Sequence, residues 1–182
     1  MEYLDVVDEY GNPIGEVVER TKAHSLGIRH RTSHVWIVRK KDGKVQLLLQ
    51  KRCKEKDSFP ECYDISSAGH IPAGCGYVES ALRELQEELG LEVTEEELLE
   101  CGNITIDITS NFHEHKFVDK QVAKVFLLWK DIPESRITLQ KEEIESVVWM
   151  NFDEVKEGVA GNVFPNCIEM RELEMLEKRI EL

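Results

Sequence analysis

The chain is 182 residues long, 41% hydrophobic and 32% charged, with a formal net charge of −13. That length and balance suit a single globular domain over 1–182 with a sizeable core. The negative surplus argues against nucleic-acid or membrane partners, since no cationic field attracts a phosphate polymer, but it leaves room for a small phosphorylated substrate.

Residues 1–28 read as an N-terminal hairpin extension. Tyr3–Val7 and Ile14–Val18 are predicted strands joined by the turn Tyr10-Gly11-Asn12-Pro13, and 19–26 is one helical turn stopping near Gly27. The opening MEYLDVVDEY is acidic and has no apolar core, unlike a secretory leader. The five cysteines, at 53, 62, 75, 101 and 167, form no CxxC and read as free thiols in a reducing cytoplasm. No apolar run reaches membrane-spanning length.

Residues 29–160 carry the core pattern. Ser33–Arg39 and Val45–Gln50 form a hairpin about Lys40-Lys41-Asp42-Gly43. The basic segment Lys51, Arg52, Lys54 and Lys56 is either a solvated loop or a phosphate clamp, for which the arginine fork and the lysine point charge are suited. Phe59-Pro60 follows, then a strand over Tyr63–Ala68. Thr94 caps a short acidic helical turn. Asn103–Thr109 and Val122–Trp129 are strands, and His113-Glu114-His115 between them has the composition of a metal cluster in a place where turns are commonly just solvated. Glu145–Met150 is a strand and Phe152–Glu157 a helix. In the last segment, 161–182, a helix runs over Pro165–Ile180 with Pro165 near its start and Ile168, Leu173, Leu176 and Ile180 on one face.

The densest stretch is Gly69–Leu91. Ala81, Leu82, Leu85 and Leu89 fall at helical spacing, Gly76 with Glu79 opens the helix and Gly90 ends it. Its other face carries Arg83, Glu84, Glu87 and Glu88. Like charges at this spacing cost a few tenths of a kcal/mol per pair, roughly, and sit at the helix end that disfavours anions. Local rules broken this way point to a functional site. Hard oxygen ligands on a rigid element suit Mg²⁺ or Mn²⁺.

Gly69, five residues, Cys75, seven residues, then Arg83-Glu84-Leu85-Gln86-Glu87-Glu88-Leu89-Gly90-Leu91 resembles the Nudix box, G-x5-E-x7-R-E-U-x-E-E-x-G-U with U aliphatic. Every fixed position matches except the first glutamate, here Cys75. The resemblance implies an α/β (α+β) fold, a Nudix-type α/β/α sandwich with a mixed sheet. It implies that Glu84, Glu87 and Glu88 hold Mg²⁺ or Mn²⁺ and that Arg83 orients them. A homodimer is compatible with it.

Further strings, His30 to Trp36, Lys51 to Lys56, Phe59-Pro60 and Ser67-Ala68-Gly69-His70, resemble the isopentenyl-diphosphate-isomerase-like branch. This implies diphosphate contacts from Arg52 and Lys56 and substrate contacts near Gly69 and His70. His30 and His70 match isomerase metal-ligand positions and read here as contacts to substrate or behind the metal. The isomerase's catalytic cysteine is Ala68, and its glutamate aligns with Gln121, so the acid and base of isomerisation are missing. The expected reaction is metal-dependent hydrolysis of a diphosphate linkage in a nucleoside-diphosphate-type or other small organic substrate, with Cys75 weakening the site. Glu87, Glu88, Glu142 or Glu143 could act as general base. The alternatives are an isomerase-like enzyme and a non-catalytic nucleotide-binding module.

Overall fold

The computed structural model describes residues 1–112 and 115–180. β1 (Tyr3–Val7) and β2 (Pro13–Glu19) form a separate antiparallel ribbon. α1 (Arg20–Leu26) ends at Gly27, which takes the left-handed conformation and donates its N–H to Ala23 O.

The main sheet is seven-stranded and mixed. It comprises β3 (His30–Lys41), β4 (Lys44–Arg52), β5 (Tyr63–Asp64), β6 (Ser67–His70), β7 (Leu98–Phe112), β8 (His115–Trp129) and β9 (Ile144–Asn151). The order is β5-β4-β3-β8-β7, with β6 on β3 and β9 on β4. Among the described strands, β3 and β8 are the one parallel pair. β3 lies at the centre and is buried without interruption from His30 to Val38, as a strand covered on both faces must be.

What positions the site is a fork in this sheet. β3 and β4 pair through Val38–Lys41 and Lys44–Leu47 and then part. β6 takes the freed edge of β3, and β5 that of β4. Ser66 closes the crotch: its hydroxyl donates to Leu48 O at 2.6 Å and accepts the Ile37 N–H at 2.7 Å. Two backbone groups of the splayed strands are thereby satisfied without water.

Alternation along the strands builds one core on each face. Val35, Ile37, Leu48, Phe126 and Leu128 pack against Ala81, Leu85 and Leu89 of α2 (Tyr77–Leu89). Trp36, Val38, Leu47, Val125 and Leu127 pack against Val155 of α3 (Phe152–Ala160) and Leu173 and Leu176 of α4 (Met170–Ile180). Leu85 is fully buried, and its truncation to alanine would cost about 2–5 kcal/mol.

Three expectations change. The strand predicted over 63–68 is two, β5 and β6, because the chain crosses the fork at Ile65-Ser66. The C-terminal helix starts at Met170 rather than Pro165, because the preceding residues pair with β5: Tyr63 N donates to Pro165 O at 2.8 Å and Cys167 N to Tyr63 O at 3.0 Å. β7 and β8 are much longer than their apolar centres, forming a hairpin whose outer half alternates polar with apolar. His113 and Glu114 lie outside the described residues. No helix among the described residues is long and apolar enough to cross a membrane. All five cysteines are free.

Candidate active site

β6 and α2 meet at Gly69 and Glu84. A Cβ on Gly69 would fall inside contact distance of Glu84 Cγ, Cδ and Oε1, so only glycine lets the carboxylate lie on the strand. Arg83 donates to Glu84 Oε1 at 2.7 Å and to His70 O at 3.2 Å, and its Nε stands 3.9 Å from Glu87 Oε2. Burial raises the Glu84 carboxyl above its ordinary range, against the pull of Arg83. One turn on, Glu88 is buried and accepts the Ser67 hydroxyl at 2.6 Å. Burial pushes its pKa up to about 8, opposed by Ser67 and assisted by the neighbouring Glu84. Glu87 is half-exposed.

The loop before α2 is braced by the N-terminal ribbon. Asp5 Oδ2 accepts from Arg31 at 2.8 Å and from the Gly74 N–H at 2.9 Å, while Arg31 also donates to Cys75 O at 3.0 Å. Ala73 N donates to Tyr3 O at 2.8 Å. The Cys75 backbone is thus fixed from outside the loop.

These groups line a cavity of about 940 Å³, at the upper end of the roughly 300–1,000 Å³ usual for small-molecule sites. Arg52 and Lys56 line it too. Arg52 is committed to the chain itself: it donates to Ser58 O at 2.9 and 3.2 Å, to Phe59 O at 3.2 Å and to Asp64 at 3.1 Å. Lys56 pairs with Glu143. Glu143 lines the cavity, whereas Glu142 does not; its carbonyl receives the Cys53 thiol.

A second donor set stands at the same cavity, lined by His24, His70 and Asp119, with the buried His30 ring packed against both histidines. The ligating atoms of His24, His30 and His70 lie within 4.8 Å of one another. Asp119 Oδ1 is 3.4 Å from His30 Nε2 and 3.8 Å from His24 Nε2. His30 donates Nδ1–H to Ile28 O at 2.9 Å, which leaves Nε2 as a lone pair pointing inward. Burial lowers the pKa of all three rings, His24 to about 3, so they are neutral, and it raises Asp119 to about 6. Neutral imidazole is the ligating form. His30 Nε2 and Asp119 Oδ1 are buried and lack hydrogen-bond partners among the described residues, the condition a bound cation relieves.

On the α4 side, His34 Nδ1 meets Glu172 Oε1 at 2.7 Å, and Trp36 Nε1 donates to Glu172 Oε2 at 2.7 Å. Burial works against the charged ring, but the Glu172 carboxylate wins, holding His34 above its ordinary value.

Of the residues singled out from sequence, the fold brings Arg83, Glu84, Glu87, Glu88, Gly69, His70, Arg52 and Lys56 to one cavity. Ser67 and Asp119 were missed. Ser67 stands two before Gly69 and Asp119 two before Gln121, each pair on one strand face; strand period alone would have paired them. Glu172 sits on a helix whose glutamates all look solvated in one dimension.

The model of the NUDIX domain family matches residues 28–167. An uncharacterized Nudix hydrolase of Clostridium acetobutylicum is 35% identical over 154 residues, 85% of this chain and 72% of its own length. The crystal structure of DR0079 from Deinococcus radiodurans superposes with a TM-score of 0.67 at 18% identity, covering 97% of this chain and 98% of that one. The NUDIX domain of Shewanella oneidensis NrtR, crystallised with ADP ribose, gives 0.59 at 13% identity, covering 90% and 99%.

Proposed function

We propose that this chain, which belongs to the Nudix hydrolase family, cleaves a diphosphate linkage in a nucleoside-diphosphate-type or similar small substrate, using Mg²⁺ or Mn²⁺ at Glu84, Glu87 and Glu88. The observation that carries the reading is the approach of Glu84 to Gly69. A carboxylate laid against strand backbone, fixed by Arg83 and next to the Ser67-bound Glu88, is a set of hard oxygens held in place on one cavity wall. Burial of Glu84 and Glu88 disfavours their carboxylate forms, a cost that a divalent ion held between them would offset.

When bound, the ion would neutralise the diphosphate and acidify a coordinated water. The chain's own residues do the rest. Arg83 fixes the direction of Glu84, Ser67 that of Glu88, and Glu143 is the loop carboxylate on the cavity wall able to accept the proton of the attacking water. The ADP ribose held by the Shewanella relative puts such compounds first among substrates to try.

His24, His30, His70 and Asp119 form a second centre, suited to a borderline ion such as Mn²⁺ or Zn²⁺. Of its members, His30 and His70 stand at positions that resemble metal-ligand positions of the isomerase-like branch. Isomerisation itself is not supported, since Ala68 has no proton to give and Gln121 donates to Asp119 at 3.3 Å without titrating.

The test is release of inorganic phosphate, or of a monophosphate read out after added phosphatase, from nucleoside diphosphates, nucleotide sugars, dinucleotide polyphosphates and isopentenyl diphosphate with Mg²⁺ or Mn²⁺. Turnover lost in Glu87→Gln/Glu88→Gln supports the diphosphatase. Bound nucleotide without turnover in the wild type would instead favour a binding module.

A further inference from the structure

The same cavity has an aromatic wall that the diphosphate chemistry does not use. Phe112 and Phe117 lie on one face of the β7–β8 hairpin, because Phe112 pairs with His115 and Phe117 with Ser110. Their ring centroids are 5.6 Å apart at 74°. Phe59, from the loop after β4, meets Phe112 at 4.8 Å and 64°. The same hairpin face continues inward as Ile108 and Ile106, and all five side chains line the cavity. None of the three phenylalanines is buried.

The loop that brings Phe59 here is held under strain. Phe59 has φ 48°, a left-handed conformation that a bulky residue adopts only when its surroundings enforce it. Arg52 enforces it, since its guanidinium takes the carbonyls of Ser58 and Phe59 and is itself anchored by Asp64. A basic side chain expected to meet phosphate therefore spends its donors on placing an aromatic ring.

We propose that Phe59, Phe112 and Phe117 are the seat for a planar aromatic base at the organic end of the substrate, with Arg52 as the residue that positions Phe59. Near-perpendicular rings form a corner, so a flat guest lies on one face and meets the edge of the next. A hydrocarbon chain would gain the same apolar contact but none of the stacking and edge-to-face geometry of a flat π system, and it would meet the polar side chains of Thr32, His34 and Gln121 on the same cavity lining. A base, with ring nitrogens and exocyclic groups, suits both. The proposal rests on the diphosphatase reading, because it assigns the other end of the same ligand.

The experiment is calorimetric binding, with Mg²⁺, of α,β-methylene-ADP, methylenediphosphonate and isopentenyl diphosphate. The wild type should favour the ADP analogue over both. Phe112→Ala and Phe59→Leu should each weaken the ADP analogue by about 5- to 150-fold, the range of one base stacked on an aromatic ring, with methylenediphosphonate unchanged. Phe112→Trp should restore binding. Arg52→Lys, if it positions Phe59, should reproduce Phe59→Leu, again sparing methylenediphosphonate. Tighter binding of isopentenyl diphosphate, or equal loss of all three ligands in the phenylalanine variants, overturns the seat. Phe112-dependent binding of the ADP analogue with no binding of methylenediphosphonate keeps the seat and overturns the diphosphate reading; no binding of any of them overturns both.

Discussion

Replacing Gly69 with alanine tests whether the strand backbone is shaped for the Glu84 carboxylate. The new methyl would overlap Glu84 Cγ, Cδ and Oε1 by the better part of an ångström. Those atoms are the far end of a flexible side chain, so the fold survives by turning the carboxylate away. That movement breaks the 2.7 Å bond to Arg83. Loss of a group that orients a metal ligand costs about 10–100-fold in metal affinity, and a displacement near 1 Å at a reacting centre costs about 10²-fold in rate. Mn²⁺ titration calorimetry and Mg²⁺-dependent phosphate release read the two effects separately, beside a thermal melt that should move little. Gly76→Ala is the internal control: it lies in the same loop, but nothing stands within 4 Å of its added Cβ. Wild-type Mn²⁺ affinity and rate in Gly69→Ala, or equal damage in Gly76→Ala, would refute the reasoning.

Ser67→Ala removes the hydroxyl that Glu88 accepts; Mn²⁺ affinity should fall by about tenfold or more, and an unchanged value would mean that Ser67 does not orient Glu88. His24→Ala should abolish the visible spectrum of Co²⁺ bound at the imidazole cluster while Mn²⁺ binding at the carboxylates persists, and a retained spectrum would place the cobalt elsewhere. Glu172→Gln leaves His34 and Trp36 facing an uncharged partner and should cost about 1–3 kcal/mol in urea unfolding. His34, faced by the carboxylates of Glu172, Asp64 and Asp119, is held above its ordinary value, so its charged form is favoured by folding. Its contribution is therefore complete below the unfolded value of about 6.5 and fades as pH rises through the folded one. The melting-temperature gap between wild type and His34→Gln should narrow from mildly acidic to alkaline pH; a gap that widens would reverse the assignment.

The local rules of the chain were legible wherever one element determined its own form. Gly27 and Gly90 end their helices in the left-handed conformation, and Glu79 reaches back to the Gly76 N–H at 3.3 Å, as the sequence suggests. Periodicity failed where two parts of the chain share one edge. The fork at Ser66 splits the stretch 63–68 that reads as one strand, and β5 draws Pro165–Cys167 out of the helix that Pro165 seemed to open. The carboxylates proposed to hold the metal were legible as a cluster because they share a helix. Their supports come from elsewhere: Ser67 from a strand and Asp5 from 69 positions before Gly74.

Asp5 also bears on the one departure from the box. Cys75 cannot accept the charge-assisted bonds a glutamate would, so the loop needs another anion to hold its shape. Asp5 meets that need from the N-terminal ribbon, taking the Gly74 N–H while Arg31 bridges it to Cys75 O. Both side chains are largely shielded from solvent, so the pair is worth more than a surface salt bridge. Asp5→Asn should then lower turnover and Mn²⁺ affinity without exposing the core, and Cys75→Glu should recover part of the loss. If Cys75→Glu does nothing in the Asp5→Asn background, the loop's geometry does not depend on an anion at either position.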